Sequence, residues 1–216
     1  MYTPPAHLED DLDTIHGIIA ATGLATLITH GSGGLIGSHL PMLLSPDEGP
    51  FGTLHGHLAR ANTQWSDFDP ATEALAIFTG PDAYITPSFY ATKRETGRVV
   101  PTWNYAAVHA YGTLEVYHDP DRLLALVTRL TNHHERINAD PWHVADAPPA
   151  FTASQLKGIV GVVLRITRVE GKRKLSQNRP EADRAGVRAG LRARGRADAD
   201  ELVDDPRPRP IPPHRE

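Results

Sequence analysis

Apolar residues recur at helical spacing at Leu12, Ile15, Ile18 and Ile19, which predicts an amphipathic helix over 9–22 that ends before Gly23. Short apolar runs cut by turn residues follow and read as strands: Leu24 to Thr29, Leu35 to Leu44, Phe51 to Ala59, Ala74 to Thr79 and Ala83 to Thr86. A longer strand is expected from Asn104 to Tyr117, bent near Gly112. Gly31-Ser32-Gly33-Gly34 offers the positive-φ positions of a hairpin turn, and Ser45 to Gly49 and Gly80-Pro81-Asp82 supply two more turns. Closely spaced strands joined by hairpin turns argue an antiparallel sheet or barrel, not alternating parallel units.

Asp119-Pro120 is a helix start, an N-cap acid followed by proline at the first helical position. Leu123, Val127, Leu130, His134 and Ile137 then share one face. Residues 141–157 read mostly as loop, Ile159 to Val169 as the last strand, and Glu181 to Arg194 as a weakly apolar helix. Residues 1–196 are expected to form a single domain. Pro206, Pro208, Pro210, Pro212 and Pro213 forbid regular packing beyond it, so 197–216 is expected to be a mobile Pro/Arg-rich tail.

Composition narrows the chemistry. The 216 residues suffice for a full core, and the absence of cysteine excludes disulfides, thiolate nucleophiles, iron–sulfur clusters and cysteine zinc sites. No apolar run approaches the roughly 20 residues of a membrane helix, and the start lacks the basic and apolar regions of a signal peptide. A cytoplasmic protein with no membrane partner is the expectation. The net charge of −4 conceals an asymmetry: 10 Lys/Arg face 18 Asp/Glu in residues 1–171, whereas 9 face 2 in residues 172–196. Arg184, Arg188 and Arg192 are spaced to share one helix face, which could meet DNA or an acidic partner. No helix-turn-helix signature accompanies it. The acidic body opposes approach to a polyanion, so the stripe is expected to pair with the protein's own acids.

Several side chains could carry chemistry. His55 and His57 sit two apart on a strand with His39 on its neighbour, and His133-His134-Glu135 forms a second cluster. No carboxylate follows the His-x-His pair, and Arg60 stands where a dication would be repelled, so no metal is expected. Arg60 suits an oxyanion better, with Asn62 nearby as an amide donor; pairing with Asp67 or Asp69 is the alternative. No Walker or dinucleotide fingerprint is present. Pro101-Thr102-Trp103-Asn104-Tyr105 combines rings, a hydroxyl and an amide, the mixture that a heteroaromatic ligand needs, or else closes a barrel end. Lys174 to Asn178 is a polar run after an apolar strand, offering phosphate or amide donors, or simply a loop.

These segments together resemble the PaiB family of FMN-binding proteins, labelled negative transcriptional regulators. The resemblance runs from Met1 to about Leu191 and is carried by Ser38-His39-Leu40-Pro41, residues 56–62, Gly80 to Tyr84, Val99 to Gly112 and Gly171 to Arg179. Thr63 stands where the family usually has proline, and Phe89 where it usually has tryptophan. The resemblance implies a mainly β fold with flanking helices: a six-stranded antiparallel split barrel, built as a homodimer with FMN at the subunit interface. Carried over by position, Ser38 and His39 would line the ring edge, and His57, Arg60 and Asn62 would hold the ribityl phosphate. Thr102, Trp103 and Asn104 would come from the partner subunit, while Ser176 and Gln177 would close the site. The expected function is an FMN-binding PaiB-like protein of the transcriptional-regulator class, with an FMN-dependent oxidoreductase acting on a small molecule as the alternative. No catalytic residue is assigned, and His39 is the best candidate for a proton donor.

Overall fold

In the computed structural model, which describes residues 1–203, helix α1 spans Leu12–Thr22. The Asp11 carboxylate caps it by accepting from the Thr14 amide at 2.9 Å, and Gly23 ends it at φ 66°. The strands are β1 (Leu8–Glu9), β2 (Leu24–Gly31), β3 (Gly34–Ser45), β4 (Thr53–Ala59), β5 (Ala74–Ile85), β6 (Thr102–Tyr117) and β7 (Ile159–Lys174). Their order is β1-β7-β4-β3-β2-β5-β6, and β6 also pairs with β7. The six longer strands therefore close on themselves, with the two-residue β1 added beside β7. The β2–β3, β2–β5, β3–β4 and β4–β7 ladders are all antiparallel. The mainly antiparallel sheet with flanking helices is as expected, with seven strands in place of six because the short β1 joins beside β7.

The chain divides into two compact units. The first holds Met1, Glu9–Gly80 and Ala107–Gly171. Alternation along β2 turns Ala25, Leu27 and Thr29 inward. They join a core of Ile15, Ile19, Leu40, Met42, Leu54, Phe78, Val108, Val162 and Leu164. Helix α3 (Pro120–Glu135), capped by Asp119, lays Leu123, Leu126 and Leu130 against Tyr117 and Val163. Two glycines permit close approach here. A Cβ on Gly112 would lie 2.0 Å from the Arg165 carbonyl oxygen, and one on Gly161 would lie 2.1 Å from the Tyr117 ring. Helix α4 (Pro149–Leu156) precedes β7.

The second unit holds Tyr2–Leu8, Pro81–Ala106 and the described residues from Lys172 onward. Helices α2 (Ala91–Thr96) and α5 (Glu181–Ala193) lie in it. Its core is Ala83, Ile85, Tyr90, Val187, Leu191, Ala199, Leu202 and Val203. The buried Asp183 carboxylate ties α5 to α2, accepting from the Thr92 amide at 2.9 Å and the Thr92 hydroxyl at 3.0 Å.

Several expectations change. Gly80-Pro81-Asp82 is not a turn, because β5 runs through it; pairing with β2 covers Leu75 to Ile77 alone, so the missing proline N–H costs that ladder nothing. The stretch 141–157 contains α4, whose Pro149 sits at the first helical position. The last strand continues beyond Val169 to Lys174. On α3, Leu126 is buried in place of His134 and Ile137, and Ile137 is 84% exposed. Residues 197–203, expected to begin the mobile tail, pack by Ala199, Leu202 and Val203; residues 204–216 lie outside the described residues.

Candidate functional site

Five of the expected site residues belong to the first unit. Leu40 and Met42 are buried on one side of β3, so Ser38 shares their side while His39 points to the opposite, exposed face. The Ser38 hydroxyl accepts from Asn62 Nδ2 at 2.7 Å. Asn62 Oδ1 accepts from the Gln64 amide at 3.0 Å and so caps the 3-10 turn Thr63–Trp65. Gln64, which the sequence reading passed over, is fully buried and donates to the Leu27 and Ile36 carbonyls at 3.0 and 3.2 Å. The signal for it was a polar side chain two residues beyond a strand-end asparagine. His39 Nδ1 lies 3.0 Å from the Thr26 hydroxyl directly across the ladder.

His57 pairs with Gly161, whose Cβ position faces the Tyr117 ring, so His57 lies on the Tyr117 side of β4. Its Nδ1 is buried with no hydrogen-bond partner, and burial holds its pKa below the ordinary histidine value. Arg60 pairs with neither Asp67 nor Asp69. Its Nε donates to the Lys157 carbonyl at 2.7 Å, its Nη2 to the Ile159 carbonyl at 2.9 Å, and its Nη1 lies 3.3 Å from His118 Nδ1. Three of five guanidinium N–H groups are thereby engaged, leaving two for an anion. The acids proposed as its partners serve elsewhere: Asp67 accepts from the Ser32 amide and hydroxyl, and Asp69 from the Ala71 amide and Thr72 hydroxyl.

The other five belong to the second unit. Asn104 is buried, donating through Nδ2 to the Ser176 hydroxyl at 2.9 Å and the Leu202 carbonyl at 2.8 Å. Ser176 returns a bond to Asn104 Oδ1 at 3.1 Å and sits at φ 64°, the left-handed region. Gln177 Oε1 accepts from the Leu175 amide at 2.7 Å, and its Nε2 donates to the Ala6 carbonyl at 2.9 Å. These three amides and hydroxyls serve the unit's own framework. Thr102 accepts from Lys174 Nζ, whereas Trp103 is 52% exposed and meets the half-exposed Tyr84 edge to face with centroids 6.0 Å apart.

On α5, Arg184 and Arg188 both pair with Glu181, and Arg192 makes a bidentate pair with Asp200 at 2.6 Å. Among the described residues no group of three His, Asp or Glu side chains could hold a metal, and none of their helices is long and apolar enough to cross a membrane.

A family model described as "Putative FMN-binding domain" matches residues 1–168. The chain belongs to that family. Its cofactor is a flavin. The chain is also 32% identical, over 87% of its own length and 87% of the other's, to protease synthase and sporulation protein PAI 2 of Bacillus subtilis, which shows the PaiB-type family. Among solved structures it resembles the flavocytochrome Anf3 of Azotobacter vinelandii, with a TM-score of 0.54, 14% identity and coverage of 76% of this chain and 68% of that one. It also resembles an FAD and heme binding protein of Mycobacterium smegmatis, with a TM-score of 0.51, 13% identity and coverage of 75% and 70%. The fold is the split barrel. The residues of this FMN-binding family member suit a flavin. His57 Nδ1 is buried and unpartnered, Arg60 retains two donors, the Thr26–His39 pair is open, and Trp103 with Tyr84 offers exposed ring surface.

Proposed function

We propose that the protein binds FMN through Ser38, His39, His57, Arg60 and Asn62, with Thr102 and Trp103 of a second copy completing the site, and acts on a small molecule by redox chemistry. The observation that carries the choice of a small molecule over DNA is the state of the basic helix. Arg184, Arg188 and Arg192 already face Glu181 and Asp200, which lowers the positive potential that this helix face offers to phosphates. FMN when bound supplies hydride and single-electron transfer, and the protein supplies orientation and electrostatics around it. His39, exposed and steadied by the Thr26 hydroxyl, is the residue suited to hold or pass a proton at the ring edge. His57, kept neutral by burial, is suited to accept or donate one hydrogen bond without adding charge. Arg60 would direct its two remaining N–H groups at the phosphate while its other bonds fix the guanidinium. Asn104, Ser176 and Gln177 support the Thr102–Trp103 segment from within their own unit.

A homodimer fits this reading, since exposed Leu24 neighbours Thr26 on β2 and exposed Leu35 lies opposite His30 near the tip of the same β2–β3 hairpin, and a partner would cover both. A regulator acting through DNA is the second reading. The PaiB resemblance and the basic segment 172–196 speak for it. The test is a visible spectrum of the purified protein followed by anaerobic NADH and NADPH titration, with anisotropy of labelled DNA in parallel. A yellow protein that releases FMN on heating, is bleached by a nicotinamide and leaves DNA unbound at physiological salt is expected. Protein that stays colourless after reconstitution with FMN overturns the flavin site. A flavin that no nicotinamide reduces, together with tight sequence-selective DNA binding, favours the regulator.

A further inference from the structure

The first unit contains a cleft of about 670 Å³ lined by none of the residues assigned to the flavin. That volume falls within the ~300–1,000 Å³ of small-molecule sites. One wall is apolar, formed by Ala20 of α1, Met42, Leu43 and Leu44 of β3, and Pro46 after it. The other wall is α3 with its C-terminal cap, where Arg129, Asn132, His133 and Arg136 recur at i, i+3, i+4 and i+7 and so share one face. His16 of α1 adds a second imidazole. The lining contains two arginines, two histidines and no carboxylate, in a protein whose net charge is −4.

The cations have no charge partner that would explain them. Among the described residues neither Arg129 nor Arg136 forms an ion pair; Arg129 Nη2 donates only to the Ser45 hydroxyl, at 2.9 Å. Glu48, the acid that feels the Arg129 charge, is bound to His55 Nε2 at 2.8 Å. The negative end of α3 accounts for the cation at its cap, Arg136. It does not account for Arg129, which lies nearly two turns before the cap, nor for an apolar wall facing all four residues. Cations on one wall and hydrocarbon on the other are complementary to a ligand that is charged at one end only.

We propose that this cleft is a binding site, separate from the flavin residues, for a small amphipathic anion. Its apolar body would lie on Ala20, Leu43 and Leu44, and its carboxylate or phosphate head would meet Arg129 and Arg136, with Asn132 as a further donor. Decanoate and decyl phosphate are the probes for the two head groups, and decanol is the uncharged control. Each is titrated by calorimetry into FMN-loaded full-length protein, and into Arg129→Gln and Arg136→Gln variants checked by thermal melting. Both arginines are exposed, so these variants should fold. Saturable one-to-one binding of decanoate, decyl phosphate or both is expected, with decanol at least about tenfold weaker. Each variant should lose about tenfold, roughly 1.4 kcal/mol, and added salt should weaken binding further. The better of the two anions identifies the head group. The proposal is overturned by no saturable binding of either anion up to about 1 mM. Decanol binding as tightly as both anions, or anion binding unchanged in both variants, overturns it equally. Displacement of FMN by the anions overturns it too, by assigning the cleft to the flavin. The comparison with decanol needs no variant, so the outcome does not depend on their folding.

Discussion

Replacing Asn104 by alanine separates a structural role from a ligand role. In the structure its amide makes two donations, to the Ser176 hydroxyl at 2.9 Å and the Leu202 carbonyl at 2.8 Å, and accepts one bond from Ser176 at 3.1 Å. Asn104 is 1% exposed and Ser176 5%, so water does not replace what is lost. A hydrogen bond contributes about 1 kcal/mol net, whereas a buried polar group left without a partner costs about 1–3 kcal/mol. Two such groups, the Ser176 hydroxyl and the Leu202 carbonyl, are left, so the variant should lose roughly 2–4 kcal/mol. For a chain of this size that lowers Tm by on the order of 5–15 °C. Ser176→Ala removes the partner of the Asn104 oxygen and of one Asn104 N–H but keeps the bond to the Leu202 carbonyl, and should cost less. The double variant should cost less than the sum of the two, because both remove one shared network. The assay is thermal unfolding followed by circular dichroism, with hydrogen exchange at Leu202 and Val203 reporting the second unit. A Tm within about 1 °C of wild type, combined with loss of FMN, would refute the reasoning and make Asn104 a flavin contact.

Three further outcomes follow from the packing and the charges. Gly161→Ala drives a methyl into the buried Tyr117 ring 2.1 Å away and should destabilise by about 1–3 kcal/mol in urea unfolding, with partial rescue by Tyr117→Leu; an unchanged midpoint would mean that β7 shifts freely. His7, His57, His109 and His133 are all held below the ordinary value of 6.5, first by burial. The unfolded chain therefore binds more protons below pH 6.5, so this contribution is complete above 6.5 and is lost as pH falls through the depressed values. Denaturant midpoints should accordingly decline from about pH 6.5 downward, less steeply in His57→Leu, and a flat profile to about pH 5 would contradict the assignment. Glu181→Gln removes the carboxylate shared by Arg184 and Arg188. It should leave stability nearly unchanged, because Glu181 is 60% exposed and solvent screens the pair, yet raise the salt needed to elute the protein from heparin; unchanged elution would show that the pair does not mask the basic face.

Features set by neighbouring residues were legible in the sequence. Asp11 and Gly23 bracket α1, Asp119 and Pro120 open α3, and the glycine-rich 31–34 segment makes the β2–β3 hairpin, because capping and turn chemistry act within a few residues. The motif set placed the chain in its FMN-binding family for a related reason: those residues are contiguous. What required the tertiary structure was every feature whose partner is remote. The buried face of α3 is Leu123, Leu126 and Leu130 because Tyr117 and Val163 lie beneath it, a placement that helical periodicity alone cannot select. Arg60 is committed to carbonyls 97 and 99 residues away, not to the nearby aspartates. Asn104 and Ser176, 72 residues apart, satisfy each other inside the second unit, although by residue type they read as ligand donors. Leu202 draws 197–203 into that same core, which proline content beyond residue 205 could not foretell. Side-chain chemistry states what a donor can bind, but the fold decides which acceptor reaches it first, because a buried polar group must be paired wherever the chain brings a partner.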